Sequence, residues 1–269
     1  MSLDVSIVDA FTDEPFAGNP AGVCVLPGPV SARWMSMVAR ELNLSETAFL
    51  YPEGNGYRLR WFTPVVEIEL CGHATLAAAH VLWESGHLAP ETRAVFTTLS
   101  GELTAVRDGG WIQLDFPAKP VTAAEAPAGL KEALQGRALV AVAANGSDYL
   151  VEVESEDVVR TLEPDFAAIE RLPLRGVIVT ARAVAQPYDF VSRFFAPGFG
   201  AAEDHVTGFA HCFLGPYWQR KLGKSILVGY QASQRGGYVR VVARGERVLL
   251  GGQAVTVLKG SLLADPGPS

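Results

Sequence analysis

The sequence predicts an α+β protein of two pseudo-symmetric lobes, and three observations lead to this prediction. Strand-like runs of apolar and β-branched residues dominate both halves of the chain. Only two long helices are indicated, over 74–85 and 206–222. A Pro- and Ala-rich stretch, AKPVTAAEAPAG at 118–129, separates the halves and is typical of a linker. We therefore expect an N-terminal lobe over 1–118, a linker over 119–129 and a C-terminal lobe over 130–245.

The individual elements follow from periodicity and from capping residues. Ser31 predicts the start of a helix over 31–42, and Gly86 and Gly223 predict the ends of the two long helices. We expect Pro216 to kink the second of these. Short surface helices are indicated at 127–135, 155–162 and 164–171. Strands are indicated at 4–11, 22–26, 47–51, 57–63, 94–98, 101–107 and 111–116, then at 138–144, 148–154, 176–182, 188–195, 225–231, 238–243, 246–250 and 253–258.

An internal repeat supports the division into two lobes. The pattern Arg-aromatic-Phe-small-Pro occurs at 60–64 (RWFTP) and again at 193–197 (RFFAP). After each copy comes a second matching stretch, CGHATLAAAHVL at 71–82 and EDHVTGFAHCFL at 203–214. Aligned on His73 and His205, these stretches also pair Thr75 with Thr207. The repeat predicts a duplicated unit of strand, loop and helix.

Composition excludes several classes of partner and site. The chain has 269 residues and a net charge of −7, so we expect no nucleic acid and no anionic membrane as a partner. No basic and apolar leader and no long apolar run occurs, which predicts a cytoplasmic protein. Its three cysteines are far apart, and the spacing of seven between His73, His80 and His87 is too wide for paired ligands; we expect no metal site.

A candidate site lies where the strand-like run RWFTPVVEIEL, at 60–70, gives way to the first long helix. Cys71, Gly72 and His73 stand at this junction. The first N–H groups of a helix have no intrahelical partner and bind anions. If the repeat places both helix starts in one cleft, they form a site for a carboxylate. Gly72 permits a close approach of the backbone, and His73 is placed to donate to a ligand or accept from it.

Glu46, in NLSETAFLY at 43–51, is the candidate proton carrier. A carboxylate that enters an apolar strand is expected to have a raised pKa and to act as a general base near neutral pH. The alternative is a solvated glutamate in a loop. Cys71 is more often a small buried residue than a nucleophile, and a two-thiol racemase lacks its second cysteine here.

Five stretches together resemble the phenazine-biosynthesis-type (PhzF-like) isomerases of the diaminopimelate-epimerase-like fold. They are DAFTDEPFAGNPAGV (9–23), ELNLSETAFL (41–50), LRWFTPVVEIELCGHATLAAAHVL (59–82), EDHVTGFAHCFLGPYWQRKLGK (203–224) and GYQASQRGG (229–237). The resemblance implies two lobes, each with a β-barrel-like sheet around a central helix, and an active site between them. It also allows the C-terminal strands, at about 246–260, to return to the first lobe.

The resemblance also implies a reaction and a set of site residues. The best-known family member isomerises trans-2,3-dihydro-3-hydroxyanthranilate by moving a proton within the ring, with no cofactor. The implied catalytic residues are Glu46, His73 and Asp204, and the implied substrate-binding residues are Gly72, Asn19, Cys71, Thr207, Gly208 and Phe209. A homodimer is implied as well. The family's usual Glu-Asp-Pro-x-Thr-Gly-Ser-Ala is changed here to EDHVTGFA, so that His205 replaces a proline and Phe209 replaces a serine.

We therefore predict a cofactor-independent isomerase that acts on a small carboxylate-bearing, cyclic or unsaturated substrate. Two alternatives stay open at this point. One is an amino-acid racemase or epimerase that uses Cys71 with a partner other than a thiol. The other is a small-molecule binding protein that has lost catalysis, which the replacement of a hydroxyl by Phe209 would favour.

Overall fold

The strand-rich α+β fold predicted from the sequence is confirmed by the computed structural model, which describes residues 3–184, 187–199, 201–264 and 266. Contacts between Cα atoms divide the chain into two units. The first unit is Met1–Asp115 together with Gly251–Ser269, and the second is Phe116–Leu250.

Within the described ranges, the first unit contains two helices and nine strands, and all but one of these strands come from the N-terminal part of the chain. The helices are α1 (Ala32–Leu42) and α2 (Gly72–Glu84). The strands are β1 (Leu3–Ala10), β2 (Asn19–Val25), β3 (Glu46–Glu53), β4 (Gly56–Phe62), β5 (Glu67–Ile68), β6 (Ala94–Thr98), β7 (Gly101–Asp108), β8 (Trp111–Pro117, whose last two residues belong to the second unit) and, from the C-terminal part, β18 (Ala254–Leu262).

The second unit contains three short helices and one long helix. They are α3 (Leu130–Ala133), α4 (Glu156–Thr161), α5 (Phe166–Glu170) and α6 (Gly208–Leu222). The strands are β9 (Thr122–Ala123), β10 (Leu139–Asn145), β11 (Asp148–Val153), β12 (Gly176–Arg182), β13 (Phe190–Ala196), β14 (Ala201–Asp204), β15 (Leu227–Gln231), β16 (Gly237–Arg244) and β17 (Arg247–Gly252, which ends in the first unit).

The two units repeat one order of strand pairing. In the first unit β1–β2, β3–β4 and β6–β7 are antiparallel, whereas β2–β3 and β4–β6 are parallel. In the second unit β10–β11, β12–β13 and β15–β16 are antiparallel, whereas β11–β12 and β13–β15 are parallel. The short strands β5 and β14 each pair with the preceding strand and lead into α2 and α6. The duplication indicated by the sequence is therefore a repeat of topology.

Each unit is built around one buried helix. Almost every side chain of α2 is buried, and the helix packs on β1, β2, β3 and β18. Helix α6 is buried along most of its length and packs on β15 and β16. A helix that is apolar on all sides belongs inside a core. In the described part of the chain, no helix has both the length and the apolar character that a membrane crossing requires.

Pro216 lies inside α6 without ending the helix. Proline cannot donate to the carbonyl four residues earlier, which belongs to Cys212. The backbone N–H of Lys119 donates to that carbonyl instead, at 3.0 Å, so the buried acceptor is satisfied. One residue earlier, a side chain at Gly215 would place its Cβ 2.5 Å from Cγ1 of Val241. The Gly-Pro pair therefore lets β16 approach the helix closely.

A forked Arg–Glu pair joins the equivalent strands of each unit. In the first unit Arg60 of β4 donates through Nε and Nη2 to the carboxylate of Glu67 in β5, at 2.7 and 2.8 Å. In the second unit Arg193 of β13 donates in the same way to Glu203 of β14, at 2.7 Å for both bonds. The Arg193 side chain is 11% exposed and that of Glu203 17%. The forks fix the short strands that precede α2 and α6.

We expect Arg193→Met to lower the free energy of unfolding by about 3–5 kcal/mol, because it leaves the mostly buried carboxylate of Glu203 without its guanidinium. It also removes the bond from Arg193 Nη1 to the carbonyl of Leu162. The matched control is Arg58→Met, which breaks a pair with Glu53 whose side chains are 31% and 38% exposed; its cost should be about 0–1 kcal/mol. Urea unfolding measures both changes, and equal costs would contradict the proposed strength of the fork.

Candidate functional site

In the first unit, three chain segments bring five polar side chains together. Asn19 begins β2, Ser45 and Glu46 stand at the start of β3, and Cys71 and His73 flank the first residue of α2. Strands β2 and β3 are parallel and pair Ala21 with Glu46, so both strands present their first residues at the same edge. We refer to Asn19, Ser45, Glu46, Cys71 and His73 as the Glu46 cluster.

The His73 imidazole is the centre of the Glu46 cluster. Its Nε2 lies 3.1 Å from Oε2 of Glu46 and 3.4 Å from the Ser45 hydroxyl. Its Nδ1 lies 3.2 Å from the Asn19 side-chain amide and 3.6 Å from Sγ of Cys71. A side-chain amide can present either its N–H or its oxygen. Asn19 can therefore donate to a neutral imidazole or accept from an imidazolium.

The cluster is nearly closed to solvent, except at Ser45 and Glu46, which are half-buried. The side chain of His73 is 6% exposed and that of Glu46 18%. Asn19 is fully buried, and Cys71 is 7% exposed. Among the titratable members, the carboxylate thus retains the most contact with solvent, as a group that exchanges protons with a small molecule requires.

The expectation of a raised pKa for Glu46 is wrong. Burial does raise the pKa of this carboxyl, but the charge of His73 and hydrogen bonds from His73 and Ser45 lower it by more, so that the net shift is downward. The sequence argument considered burial alone, whereas the neighbour that reverses the shift comes from a helix far away in the chain. Glu46 is therefore a carboxylate at neutral pH, which is the basic form.

The pKa of His73 is shifted in the opposite direction. Burial lowers the pKa of the imidazole, yet Cys71 and the Glu46 carboxylate raise it well above its usual range. The Cys71 thiol is itself buried, which raises its pKa and keeps it protonated at neutral pH. We therefore assign the effect on His73 to Glu46. The pair is best described as a buried imidazolium beside a carboxylate.

The backbone at the start of α2 adds N–H donors to the cluster. Cys71 is the N-cap, with extended backbone angles, and Gly72 is the first helical residue. The helix begins two residues earlier than predicted. The carbonyl of Cys71 accepts from the hydroxyl of Thr75, at 2.5 Å. The first N–H groups of the helix are the donors that an anionic ligand could use.

In the second unit, Asp204 forms a hydrogen-bonded cluster of its own. The Thr207 hydroxyl donates to Oδ2 of Asp204, at 2.6 Å. Gln231, which is fully buried, accepts from the Thr207 backbone N–H and donates to the Asp204 carbonyl, at 2.9 and 2.8 Å. Gln231 was not singled out from the sequence, although its segment GYQASQRGG was. The Ser233 hydroxyl donates to the carbonyl of His205, at 2.6 Å.

Gly208 and Phe209 are the first two residues of α6. Phe209 is half-buried and its ring is held on two sides. The Arg175 guanidinium lies 4.3 Å from the ring centroid, and the Phe213 ring meets it edge-on at 4.9 Å. Arg175 also pairs with Asp148, at 2.6 Å. The Phe209 ring is therefore held by a cation and by a second aromatic ring.

The repeat has a different register at the helix starts from the one read in the sequence. That reading paired Thr75 with Thr207, but the structure places Thr207 at the N-cap of α6, the position that Cys71 occupies in α2. The same register pairs Thr75 with His211. His211 donates from Nδ1 to the Thr207 carbonyl, at 2.8 Å, as Thr75 does to the Cys71 carbonyl. Burial lowers the pKa of His211 to about 4 and keeps it neutral.

Among the described residues, Glu46, Cys71 and His73 offer ligand atoms that all lie within 4.8 Å of one another. Such a group could hold a transition metal. His73 directs one ring nitrogen to Glu46 and the other to Cys71 and Asn19, however, whereas a metal ion would be bound by one nitrogen only. We therefore interpret the group as a hydrogen-bond network.

Known proteins match nearly the whole chain. Residues 8–260 match the family described as phenazine biosynthesis-like protein (PhzC-PhzF). A protein of Halalkalibacterium halodurans named an uncharacterized isomerase is 51% identical over 264 residues, which cover 98% of this chain and 99% of that one. The crystal structure of a PhzF-family phenazine biosynthesis protein from Enterococcus faecalis is 42% identical, with a TM-score of 0.94, and covers 98% of this chain and 100% of that one.

More distant structures support the fold alone. A probable proline racemase from Agrobacterium radiobacter is 13% identical and has a TM-score of 0.63, with 98% of this chain and 94% of that one covered. The expected two-lobed fold of the epimerase type is thereby confirmed.

We expect Glu46→Gln to lower the pKa of His73, because the carboxylate that raises it is lost while burial remains. Histidine ¹⁵N chemical shifts followed against pH measure this. Glu53→Gln, at the other end of the same strand, is the control and should leave the His73 titration unchanged. An unchanged titration in Glu46→Gln would contradict the assigned cause.

The same pair sets a pH window of stability. The contribution of Glu46, whose pKa is lowered, is present above the ordinary pKa of glutamate, about 4.3, and is lost as the pH falls through the folded value. The contribution of His73, whose pKa is raised, is present below about 6.5 and is lost as the pH rises through its folded value. The difference in unfolding free energy between the parent and Glu46→Gln should be largest between these limits.

Proposed function

We propose that this chain, which belongs to the phenazine biosynthesis-like (PhzC-PhzF) family of isomerases, moves a proton between two carbons of a small, cyclic or unsaturated carboxylate without a cofactor. Glu46 carries the proton. The observation that supports this role is the contact of its partly exposed carboxylate with the buried His73, at 3.1 Å.

The proposed chemistry is a proton shift by one general acid–base. The Glu46 carboxylate removes a proton from a carbon of the substrate, and the electron pair spreads into the conjugated system that bears the carboxylate. The neutral Glu46 carboxyl then returns the proton to a second carbon of that system. A positioned acid–base of this kind contributes about 10²–10⁴ in rate. No atom is gained or lost, and the enzyme returns to its starting state.

His73 supports both halves of this cycle. As an imidazolium it keeps Glu46 ionised before the reaction, and it is a fixed positive charge close to the negative charge that develops on the substrate. The N–H groups at the start of α2, including that of Gly72, are proposed to bind the substrate carboxylate. Asn19 is proposed to set the orientation of the imidazole through its contact with Nδ1.

Asp204 is proposed to orient a polar group of the substrate. Thr207 and Gln231 hold this residue by its side chain and by its backbone, so its carboxylate has a defined direction. Gly208 supplies a backbone N–H at the start of α6, and Phe209 is proposed to select the substrate by size. Arg175 and Phe213 fix the Phe209 ring. The preferred substrate of this chain should therefore be smaller or less polar than the substrate of a family member that has serine at this position.

The setting of the protein is proposed as well. All three cysteines are free and buried. This favours a reducing compartment, so we propose a cytoplasmic enzyme. A homodimer stays a proposal that rests on the family resemblance.

We expect Glu46→Gln to lower kcat by about 10²–10⁴ while ligand binding persists, because the amide keeps the shape of the carboxyl but cannot carry a proton. The assay incubates cyclic and unsaturated carboxylates, among them trans-2,3-dihydro-3-hydroxyanthranilate, in D₂O and follows deuterium uptake and product by NMR. Glu53→Gln is the matched control and should retain full activity.

The same assay separates the proposal from a binding protein that has lost catalysis. Tight binding of these carboxylates to the parent protein, with neither product nor deuterium uptake into the ligand, would eliminate the isomerase role. Unchanged turnover in Glu46→Gln would eliminate Glu46 as the proton carrier.

We expect Cys71→Ser to change kcat by less than about tenfold, since a buried, protonated thiol is a poor base. Kinetics on any turned-over carboxylate, together with a test for racemisation of amino acids, measure this. Loss of all activity in this variant, with the fold retained by circular dichroism, would instead support a racemase or epimerase that uses the thiol.

A further inference from the structure

A cavity lies in the first unit, at the other end of α2 from the Glu46 cluster. His80 faces it and follows His73 by two helical turns, or roughly 10 Å along the axis. The cavity has a volume of about 330 Å³. The C-terminal half of α2, the hairpin of β7 and β8 and the start of β18 surround it, and its lining includes Asp13, His80, Trp83, Arg107, Trp111 and Gln253.

Two indole rings form the apolar part of this lining. Trp83 is 6% exposed, and its Nε1 donates to the carbonyl of Thr92, at 2.9 Å, which fixes the ring. Trp111 begins β8 and is half-buried. The Arg107 guanidinium stands over the Trp83 ring, 6.0 Å from its centroid. The cavity therefore offers flat aromatic surfaces next to a cation.

A hydrogen-bond network holds the polar side of the cavity in place. His80 Nε2 lies 3.1 Å from the Thr256 hydroxyl, which donates to Glu84 at 2.7 Å. Lys259 pairs with the same carboxylate, at 3.0 Å. Burial lowers the pKa of His80; the Glu84 charge raises it and the Arg107 and Lys259 charges lower it, so that the net shift is downward. The imidazole is therefore neutral, and the charge of Glu84 is already balanced.

Two charges at the cavity remain unbalanced. Over residues 3–184, 187–199, 201–264 and 266, neither Arg107 nor Asp13 forms an ion pair or a side-chain hydrogen bond. On strand β4 of the same unit, by contrast, Arg58 and Arg60 are each paired with a glutamate. A guanidinium and a carboxylate thus line one small cavity, and each has bonding capacity left for a ligand.

We propose that this cavity binds a small aromatic amino acid as the zwitterion. Arg107 binds the carboxylate, Asp13 binds the ammonium group, and the ring lies against Trp83 and Trp111. The volume agrees with this size, because it is at the lower end of the roughly 300–1,000 Å³ that small-molecule sites occupy. The inference does not depend on the function proposed for the Glu46 cluster, since it uses none of the residues of that cluster.

The experiment is a calorimetric titration of the full chain with three probes. L-Phenylalanine carries both charges, 2-phenylethylamine lacks the carboxylate, and 3-phenylpropionate lacks the ammonium group. We expect L-phenylalanine to bind at least about tenfold more tightly than either of the others, because each charged contact contributes to affinity. Arg107→Gln and Asp13→Asn should each weaken its binding by about tenfold or more.

Two controls place the binding in this cavity. Arg58→Gln removes an arginine from β4 outside the cavity, and Glu46→Gln alters the other cluster of the unit; both should leave the affinity for L-phenylalanine unchanged. No heat of binding with L-phenylalanine at 10 mM would overturn the proposal. Equal affinity for a single-charge probe, or full affinity in Arg107→Gln, would overturn it as well. A loss of binding in Glu46→Gln alone would assign the ligand to the Glu46 cluster instead.

Discussion

A mostly buried carboxylate stays ionised only if nearby donors or cations replace the water that it has lost. In this chain the His73 imidazolium takes the place of the water that the Glu46 carboxylate has lost. Three separate parts of the structure bring these groups together. Strand β3 begins at Glu46, and α2 begins one residue before His73. Strand β2 begins at Asn19, which contacts the other side of the His73 ring. The central helix, whose buried side chains include several alanines, packs directly against β2 and β3. The chemistry of the cluster is thus a product of the fold of one unit.

The sequence predicted the long elements of the fold well, because they carry strong local patterns. Ser31 does cap α1, where its hydroxyl accepts from the Trp34 N–H. The strands missed in the sequence, β5, β9 and β14, have two to four residues, too few to show a period of two. Short helices such as α3 were predicted too long. Their length depends on contacts with other parts of the chain, which the local composition does not show. The register of the repeat at the helix starts was misread for a similar reason. The alignment followed identical residues, whereas the true register follows the N-cap positions, which only the backbone geometry defines.

The candidate site was predictable as a set of residues and not as a set of interactions. Glu46, His73 and Asp204 stand in local motifs, but Ser45, Gln231 and Arg175 act through contacts with residues far away in sequence. The shift in the pKa of Glu46 depends on the distance to His73, which no spacing along the chain reveals. The two helix starts have also diverged within one topology. The first carries Cys71 and His73, whereas the second carries Thr207 and Phe209 at the same positions, so the titratable groups at these positions belong to the first helix start alone.

The first unit is assembled from both ends of the chain. Strand β1 pairs along its whole length with β18, from Leu3 opposite Leu262 to Ala10 opposite Ala254, and α2 packs against β18 as well. The second unit, in contrast, is one continuous segment. The sheet around Glu46 therefore depends on a contact between strands that are far apart in sequence, since β18 supplies the partner of β1 along its whole length. Closing such a distant contact costs more chain entropy than closing a hairpin, so the first unit carries a loop-closure cost that the continuous second unit avoids.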